Sequence, residues 1–541
     1  MERKASFKPW HLGYWSTTWA SVLLSDKRWF AGLLAFHLLL CVWFTTQQSP
    51  NFDESDYYGY TLRWAKGHAE RIYPLDDSKT PLTFPALLPL VAKPFSHLPD
   101  DTDVWLLSGR YCMYVYMMLL AFVAFSWLHR LLGAGKWIIP WLLLLYDPLL
   151  FSYSMVVGSD LPSAAVLLTL MYTGWRYSCT RYMRYWWMMS VLAGTGLCLK
   201  TTFVYMVALL PVLLWMAGPR LLSRHHYRWA ALRWAGLALG VLLTINLVYM
   251  FRHTGMPLRN MQFKSEQFIE IQQLGFIAEI PLPLPSDYIS SFDRLLYNAA
   301  QGGGPTYEQT YPGVNILGRY FVSGPVWYYY VAGLLFKMPL LVISLMITAI
   351  VMLANRSASL QLLKRHVHIW LPAAVFFVLL SVTNPFQIGM RHIMPVLPFV
   401  YLVVAPVVVS FWQQYRKLAC GVLLLHLLSV GRYGASMLSY TNELVWNKKD
   451  VYRYLCDSSV SYGTGKKRAA KFMMDNTGYK YLPYVPVAGN IIIPVDALTG
   501  KRVAGVNNAT WLLAFEPEGH YRYGHLLYQI SEDELRKVEY R

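Results

Sequence analysis

Three carboxylates stand close together in Asn51-Phe-Asp-Glu-Ser-Asp56, with Asp53 and Glu54 adjacent. A carboxylate within reach of a hydroxyl can take its proton, which an alcohol must lose to become a good nucleophile. The same acids also suit the first turn of a helix, so a solvated capping loop explains them equally. A further carboxylate, Asp160, lies in Gly158-Ser-Asp160-Leu-Pro162, where Leu161 and Pro162 can open a helix that Asp160 caps. Three cations complete the set. Lys79 lies in Asp76-Asp-Ser-Lys79-Thr-Pro81-Leu82, and Lys200 between Leu197-Cys-Leu199 and Thr201-Thr-Phe-Val. Arg391 lies in Gly389-Met-Arg391-His392-Ile-Met-Pro395-Val-Leu-Pro398. Lysines of this kind can snorkel to headgroups, and Arg391 can pair with an acid on its own side of the membrane. An arginine fork also matches phosphate oxygens, and an ammonium can neutralise them. A proton acceptor and several fixed cations at one surface suit transfer of a group from a lipid phosphate to a hydroxyl.

The elements that must hold these residues are membrane helices. Of the 541 residues, 55% are hydrophobic and 14% charged, against about 25% charged in soluble domains. The apolar residues gather in runs near the ~20 residues a helix needs to cross a bilayer. Spans are expected near 30–47, 105–128, 137–154, 161–175, 186–199, 201–218, 230–251, 338–354, 368–383, 393–412 and 417–435. That makes about eleven spans. The net charge of +18 concentrates in short loops, such as Arg176, Arg181 and Arg184, or Arg356, Lys364 and Arg365. This is the positive-inside pattern rather than a nucleic-acid patch, and it puts the N-terminus inside. It puts Asp53, Lys79, Asp160, Lys200 and Arg391 at the outer helix ends.

Two outer loops are expected, at about 48–104 and 252–325, with an interfacial helix over 83–97. Residues 1–29, with Trp10, Trp15 and Trp19, read as interfacial, and no cleavable signal peptide is read ahead of the first span. The six cysteines show no CxxC spacing. The expected organisation is a transmembrane catalytic domain over 1–435 and an extracytoplasmic α/β domain over 436–541. Strands are expected at Asn490–Val495 and Thr510–Phe515.

In this order the motifs resemble those of the integral-membrane glycosyltransferases of the GT-C superfold. Within it, they resemble the bacterial phospholipid-carrier-dependent branch related to protein O-mannosyltransferases and the aminoarabinose transferase of lipid A. Asn51-Phe-Asp-Glu resembles the branch's acidic motif, and Asp76-Asp-Ser-Lys79-Thr-Pro-Leu its D-x-K-x-P-L stretch. Val326-Trp-Tyr-Tyr-Tyr-Val-Ala-Gly-Leu-Leu-Phe-Lys337-Met-Pro339 is similar to its aromatic run ending in K-x-P. Arg391-His-Ile-Met-Pro-Val-Leu-Pro is similar to R-Y-x-x-P-x-x-P, with His392 in place of the tyrosine.

The resemblance implies an all-α polytopic fold of GT-C type in a bacterial inner membrane, with its site on the periplasmic side. It implies a monosaccharide donor on polyprenyl, specifically undecaprenyl, phosphate, and transfer with inversion to an extracytoplasmic lipid, glycan or protein. Asp53 would be the base, Glu54 its support, and Asp160 a sugar- or acceptor-positioning acid. Lys79, Lys200 and Arg391 would hold the phosphate, and Tyr57, Tyr329 and His392 would contact substrate. Asp53 and Glu54 could hold a divalent cation, although no closed ligand set is evident; no other cofactor is indicated. The loop around Gln301-Gly-Gly-Gly-Pro305 does not align with the family, so the acceptor stays open. A transporter, or a polymerase or ligase of lipid-linked glycans, is the competing reading. Transporters tend to place charges near the midplane between repeated halves, and neither feature is evident here.

Overall fold

The computed structural model describes residues 20–51, 53–65, 79–83, 102–217, 227–300, 314–321, 324–354, 363–384, 387, 389–498 and 509–539. The expected helix over 83–97, the acids Asp76 and Asp77, the segment Gln301–Pro305 and the N-terminal tryptophans lie outside the described residues.

The protein is mostly helical, with two small sheets. Helix α1 (Ala20–Thr45) is followed by the short α2 (Glu54–Ala65), and the long α3 covers Thr102–Leu132. The expected span at 137–154 is two helices, α4 (Ile138–Leu145) and α5 (Pro148–Tyr153). The cause of the break is Asp147. Its carboxylate caps α5 by accepting from the Leu149 and Leu150 N–H groups, each at 3.0 Å, and takes the Tyr401 hydroxyl at 2.7 Å.

Next come α6 (Asp160–Thr180), α7 (Met183–Leu199), α8 (Phe203–Ala217) and α9 (Tyr227–Val248). The following loop carries α10 (Glu266–Gln273), α11 (Gly275–Glu279), α12 (Ser286–Ala300) and a hairpin of β1 (Val314–Ile316) with β2 (Arg319–Phe321). Helices α13 (Tyr329–Lys337) and α14 (Leu340–Ala354) bend by 119° at the Met338-Pro339 break. They are followed by α15 (Val367–Thr383), a 3-10 helix (Met390–Val396), α16 (Leu397–Gln414) and α17 (Arg416–Gly431).

Among the described residues, the helical stretches Asp26–Thr45, Leu107–Leu132, Ala230–Val248 and Met390–Gln414 are each long and apolar enough to cross a bilayer. A fifth joins them if α13 and α14 count as one bent span. The expected span at 161–175 is α6, which is long enough at 21 residues but less apolar, and the other expected spans coincide with shorter or broken apolar helices. Outer faces are apolar too: Trp29, Phe36, Leu39 and Trp43 on α1, Val115 and Phe122 on α3, and Leu424, Leu425, Leu427 and Leu428 on α17 are exposed. Faces of this size are solvated by lipid tails and not by water, so the chain is a multi-pass membrane protein.

After α17 comes α18 (Lys466–Asp475), then a four-stranded sheet of β3 (Tyr479–Tyr481), β4 (Gly489–Pro494), β5 (Gly519–Tyr521) and β6 (His525–Ile530), ordered β3-β4-β6-β5. Helix α19 (Glu532–Glu539) closes the described chain. The β3–β4 pair is parallel and the others antiparallel. The expected strand at 490–495 is β4. The expected strand at 510–515 is instead a 3-10 turn (Thr510–Ala514), in which the Trp511 indole donates to the Pro483 carbonyl at 3.0 Å. That bond needs the side chain turned inward by a helical backbone. Buried tail residues, including Val460, Tyr462 and Ile491, belong to one hydrophobic core with the helices.

Helices α7 and α9 touch through small residues, which let membrane helices approach closely. A Cβ placed on Gly194 would fall 2.6 Å from Thr244 Cβ and 3.0 Å from the Val241 carbonyl. One placed on Gly240 would meet Ser190 Oγ at 2.1 Å, and that hydroxyl is already bonded to the Leu237 carbonyl at 2.7 Å. Gly194→Val is expected to force the pair apart and cost about 1–3 kcal/mol. Thermal unfolding in detergent should show a lower midpoint, while Leu239→Val on the exposed face of α9 should show little change.

Candidate active site

The site starts at the exit of α1. Asn51, not either acid, caps α2: its Oδ1 accepts from the Asp53 N–H at 2.7 Å and the Glu54 N–H at 3.0 Å. Both carboxylates are then available to other partners, and they part company at once, since Glu54 opens α2 and Asp53 lies in the turn before it.

Glu54 turns inward and is fully buried. Its Oε1 accepts from Arg110 Nε at 2.8 Å and from the Val157 N–H at 2.9 Å. Its Oε2 accepts from Arg110 Nη2 at 2.6 Å and the Asn51 N–H at 2.9 Å. Arg110, in α3, also donates to the carbonyls of Thr45, Gln48 and Ser49 at 3.4, 3.3 and 2.7 Å. One buried ion pair thus ties the exit of α1, the acidic loop, α3 and the segment leading to Asp160. With both oxygens occupied, Glu54 offers nothing to a substrate. Among the described residues, no group of three or more His, Cys, Asp or Glu side chains is placed to hold a metal ion.

Asp53 turns the other way, with its side chain 29% exposed. Its Oδ1 faces Lys79 Nζ at 3.4 Å, and its Oδ2 receives Arg391 Nη1 at 2.8 Å. The Tyr462 hydroxyl donates to the same Oδ2, and Arg391 Nη1 in turn donates to the Tyr462 oxygen. The Arg391 guanidinium stands 4.7 Å from the centre of the Tyr462 ring. Burial pushes the Asp53 carboxyl up. Lys79, then Arg391 and Tyr462, more than reverse this and hold it below the usual carboxylate range. Burial pulls the Lys79 ammonium down, and Asp53 and then Tyr57 return it above its ordinary value. Both directions agree on an ionised pair.

Each cation is placed by its own element. Lys79 precedes a 3-10 turn (Pro81–Thr83) held at both ends. Thr80 Oγ1 donates to the Cys198 carbonyl at 2.6 Å, and Tyr116 donates to the Leu82 carbonyl at 2.6 Å. Lys79 Nζ also lies 4.5 Å from the Tyr57 ring centre. Arg391 is the second residue of the 3-10 helix that leads into α16, and a strap from the tail holds that helix. Ser459 Oγ accepts from the Met390 N–H at 2.7 Å, and the buried Lys337 donates to the Ser459 and Leu438 carbonyls at 2.8 and 2.6 Å. The strap is also sewn to the acidic loop: the Ser49 N–H donates to the Thr464 carbonyl at 2.9 Å, and the Lys467 N–H to Ser49 Oγ at 2.6 Å.

The second pair adjoins the first. Lys200 Nζ donates to Asp160 Oδ1 at 2.6 Å. The turn that aims Lys200 back over the site needs Gly196, because a Cβ there would strike the Phe203 ring at 2.1 Å. Tyr57, buried between the two pairs, donates to Ser159 Oγ at 3.1 Å, one residue before Asp160. His392 is within electrostatic reach of Lys200, Arg391 and Asp53, and its buried Nε2 has no hydrogen-bond partner among the described residues.

The structure therefore brings Asp53, Lys79, Arg391, Asp160, Lys200, Tyr57 and His392 into one neighbourhood. Tyr329 is not among them as a contact: it is fully buried and donates to Asp457. Three participants escaped the sequence reading. Arg110 had a signal, being a lone cation inside an apolar span. Tyr462 had only its glycine-flanked setting, Ser461-Tyr462-Gly463. Asn51 was visible as the residue of best capping chemistry before the acids.

Two outcomes follow from this geometry. Removing one partner of a buried ion pair leaves the other charge stranded, at about 3–5 kcal/mol. Glu54→Gln should accordingly lower the unfolding midpoint sharply, and the double variant Glu54→Met with Arg110→Met should recover much of the loss. The second concerns pH. A carboxylate held below its unfolded value of about 3.9 contributes stability above that pH and loses it as pH falls through the folded value. Without Lys79 the folded value rises, so part of the stability that the ionised carboxylate contributes is lost. Lys79→Met should therefore unfold at a lower midpoint than the unaltered protein at pH 7, and midpoints measured at successively lower pH should show that gap narrowing as pH falls through the raised value.

No protein-family model matches this chain, and no curated protein matches it. Among solved structures it is similar to two crystal structures of ArnT from Cupriavidus metallidurans, one bound to undecaprenyl phosphate and one in the apo state. Each has a TM-score of 0.47 and 14% identity, over 76% of this chain and 65% of the ArnT chain, so this chain spans about two thirds of the length of those it is similar to.

Proposed function

We propose that the protein transfers a monosaccharide, with inversion, from a polyprenyl-phosphate carrier to a hydroxyl acceptor on the periplasmic face of a bacterial inner membrane. The observation that carries this reading is the arrangement of Lys79 and Arg391 on one accessible carboxylate, Asp53, with the Asp160–Lys200 pair beside it. The motif order that resembles the GT-C glycosyltransferases supports the same reading, and undecaprenyl phosphate, which one ArnT crystal structure holds, is the carrier it suggests.

Before substrate arrives, Asp53 is a poor base, because two cations and a phenol share its oxygens. The sugar-loaded carrier is a phosphodiester whose two unesterified oxygens share one negative charge and compete with Asp53 for Lys79 and Arg391; as its bond to the sugar breaks it gains a second charge and draws both cations further onto its own oxygens. Asp53 is then relieved of part of its positive surroundings and sits beside a new anion; both effects raise its affinity for a proton. In the transfer, the acceptor oxygen bonds to the anomeric carbon and the bond from that carbon to the phosphate oxygen breaks. Asp53 receives the acceptor proton, and the carrier phosphate leaves with the bonding pair, its charge met by Lys79, Arg391 and Lys200. Asp160 orients the sugar or the acceptor, with Tyr57 and His392 lining the approach. Glu54 acts through position alone.

Asp53→Asn keeps the shape and removes the base. Transfer from sugar-loaded undecaprenyl phosphate to envelope acceptors, scored as release of the free carrier, should drop by a factor of about 10²–10⁴ with folded protein unchanged. Lys79→Met and Arg391→Met should each weaken binding of undecaprenyl phosphate by at least about tenfold, the worth of one charge-assisted hydrogen bond. Normal turnover in the Asp53 variant, or movement of the loaded carrier with its sugar bond intact, would overturn the reading.

A further inference from the structure

Beyond α9 the chain forms a small helical outcrop whose inner and outer faces differ in kind. Inward, Phe268 and Ile271 of α10 pack on Leu258, Met261 and Ile289, and Gln272 is bonded to the Leu258 and Met261 carbonyls, each at 2.8 Å. Outward, the tip is apolar and uncovered. Phe276 is 82% exposed and Leu274 54%, with Ile269, Ile277 and Ile280 exposed beside them. A lone exposed leucine means little, but five large apolar side chains within twelve residues form a patch that water penalises.

The position of the tip says what covers it. The outward face of α9 is a lipid-type stripe of Leu232, Leu239, Leu243 and Leu247, continued by Met250 and Phe251, all exposed. The segment just after the tip is stitched to the end of that same helix. Asn246 Nδ2 donates to the Pro283 carbonyl at 2.9 Å, the Gly255 N–H donates to the Leu282 carbonyl at 2.9 Å, and Pro257 bridges Pro281. The apolar tip is therefore held beside the point where the lipid-facing stripe of α9 leaves the membrane.

We propose that the outcrop around Leu274–Ile280 is a membrane anchor that dips its apolar tip into the leaflet at which α9 ends. The insertion is apolar rather than electrostatic. Glu266, Glu270 and Glu279 stand on the same helices, and Arg259 is already paired with Glu279 at 2.6 Å. Anionic headgroups are therefore not required. The anchor holds the loop between α9 and β1 against the bilayer surface, whatever reaction the protein performs.

The test uses the full chain in nanodiscs of pure phosphatidylcholine, with the photoreactive residue p-benzoylphenylalanine placed singly at 276 or 277. Leu247 on the outward face of α9 serves as the lipid-facing control, and Val485, exposed in the tail, as the comparison site. Mass spectrometry after illumination should find phospholipid adducts at 276 and 277 at a yield within about threefold of that at 247, and at least tenfold above that at 485. The yield should not change when a third of the lipid is phosphatidylglycerol. Adducts to a second copy of the chain, seen as a covalent dimer, would overturn the anchor, as would a yield no higher than at 485. Neither position lies in the Asp53 site, so carrier release measured on the same samples tests the catalytic reading separately.

Discussion

The Glu54–Arg110 pair is the constraint on which the site depends. A guanidinium inside a membrane helix costs about 2.5–3.5 kcal/mol on insertion scales unless something meets it. Here a carboxylate and three carbonyls meet all the N–H groups that α3 directs toward the loop. The pair is bidentate and buried, which makes it geometrically specific as well as strong. Because Glu54 also holds the Val157 N–H, it ties the Asp53 loop to the segment leading into the Asp160 helix, a link that Tyr57 reinforces through Ser159.

Two adjacent acids take unrelated tasks because the backbone changes character between them. Asp53 precedes the first helical residue and Glu54 is that residue, so one side chain is delivered to the core and the other to the opening. Had the acids themselves capped α2, as a solvated loop allows, neither would be available. Asn51 takes the cap at the cost of ordering one short side chain. The motif Asn51-Phe-Asp-Glu is thus one cap, one accessible carboxylate and one anchor.

This division explains what was legible in the sequence. Helix positions followed from apolar runs, because lipid solvation rewards every apolar residue on a span and the signal accumulates over many residues. The break at Met338-Pro339 also followed, from the proline, but the one at Asp147 did not: Asp147 interrupts a run that reads as one span, since its cost is offset by Tyr401, which lies far away in the chain. The residues gathered around Asp53 were legible as types, charged groups at apolar edges, each needing a partner. The identity of the partners was not, because Asp53 meets Lys79, Arg391 and Tyr462 across separations that only tertiary packing defines. Tyr462 was the hardest to see, since a tyrosine in a polar tail is unremarkable until the strap returns it to the membrane surface. The turn at Thr510–Ala514 failed in the other direction: local β-propensity lost to the burial of Trp511.

The strap also bears on why Arg391 stays at the site. An arginine with a flexible stem beside a lipid surface would gain by reaching toward headgroups. Arg391 is kept inward by contacts on three sides: the Asp53 charge, the Tyr462 ring against its plane, and the backbone of the residue before it, fixed by Ser459. Two of the three come from the tail, which is itself fastened by the Lys337 ammonium, buried and bonded to two carbonyls. A cation that makes no contact with Asp53 thereby determines where the cation that does contact it can go. The sequence distance between Lys337, Arg391 and Ser459 closes into a single physical link at the membrane edge, and the carboxylate at its centre is oriented from both ends of the chain.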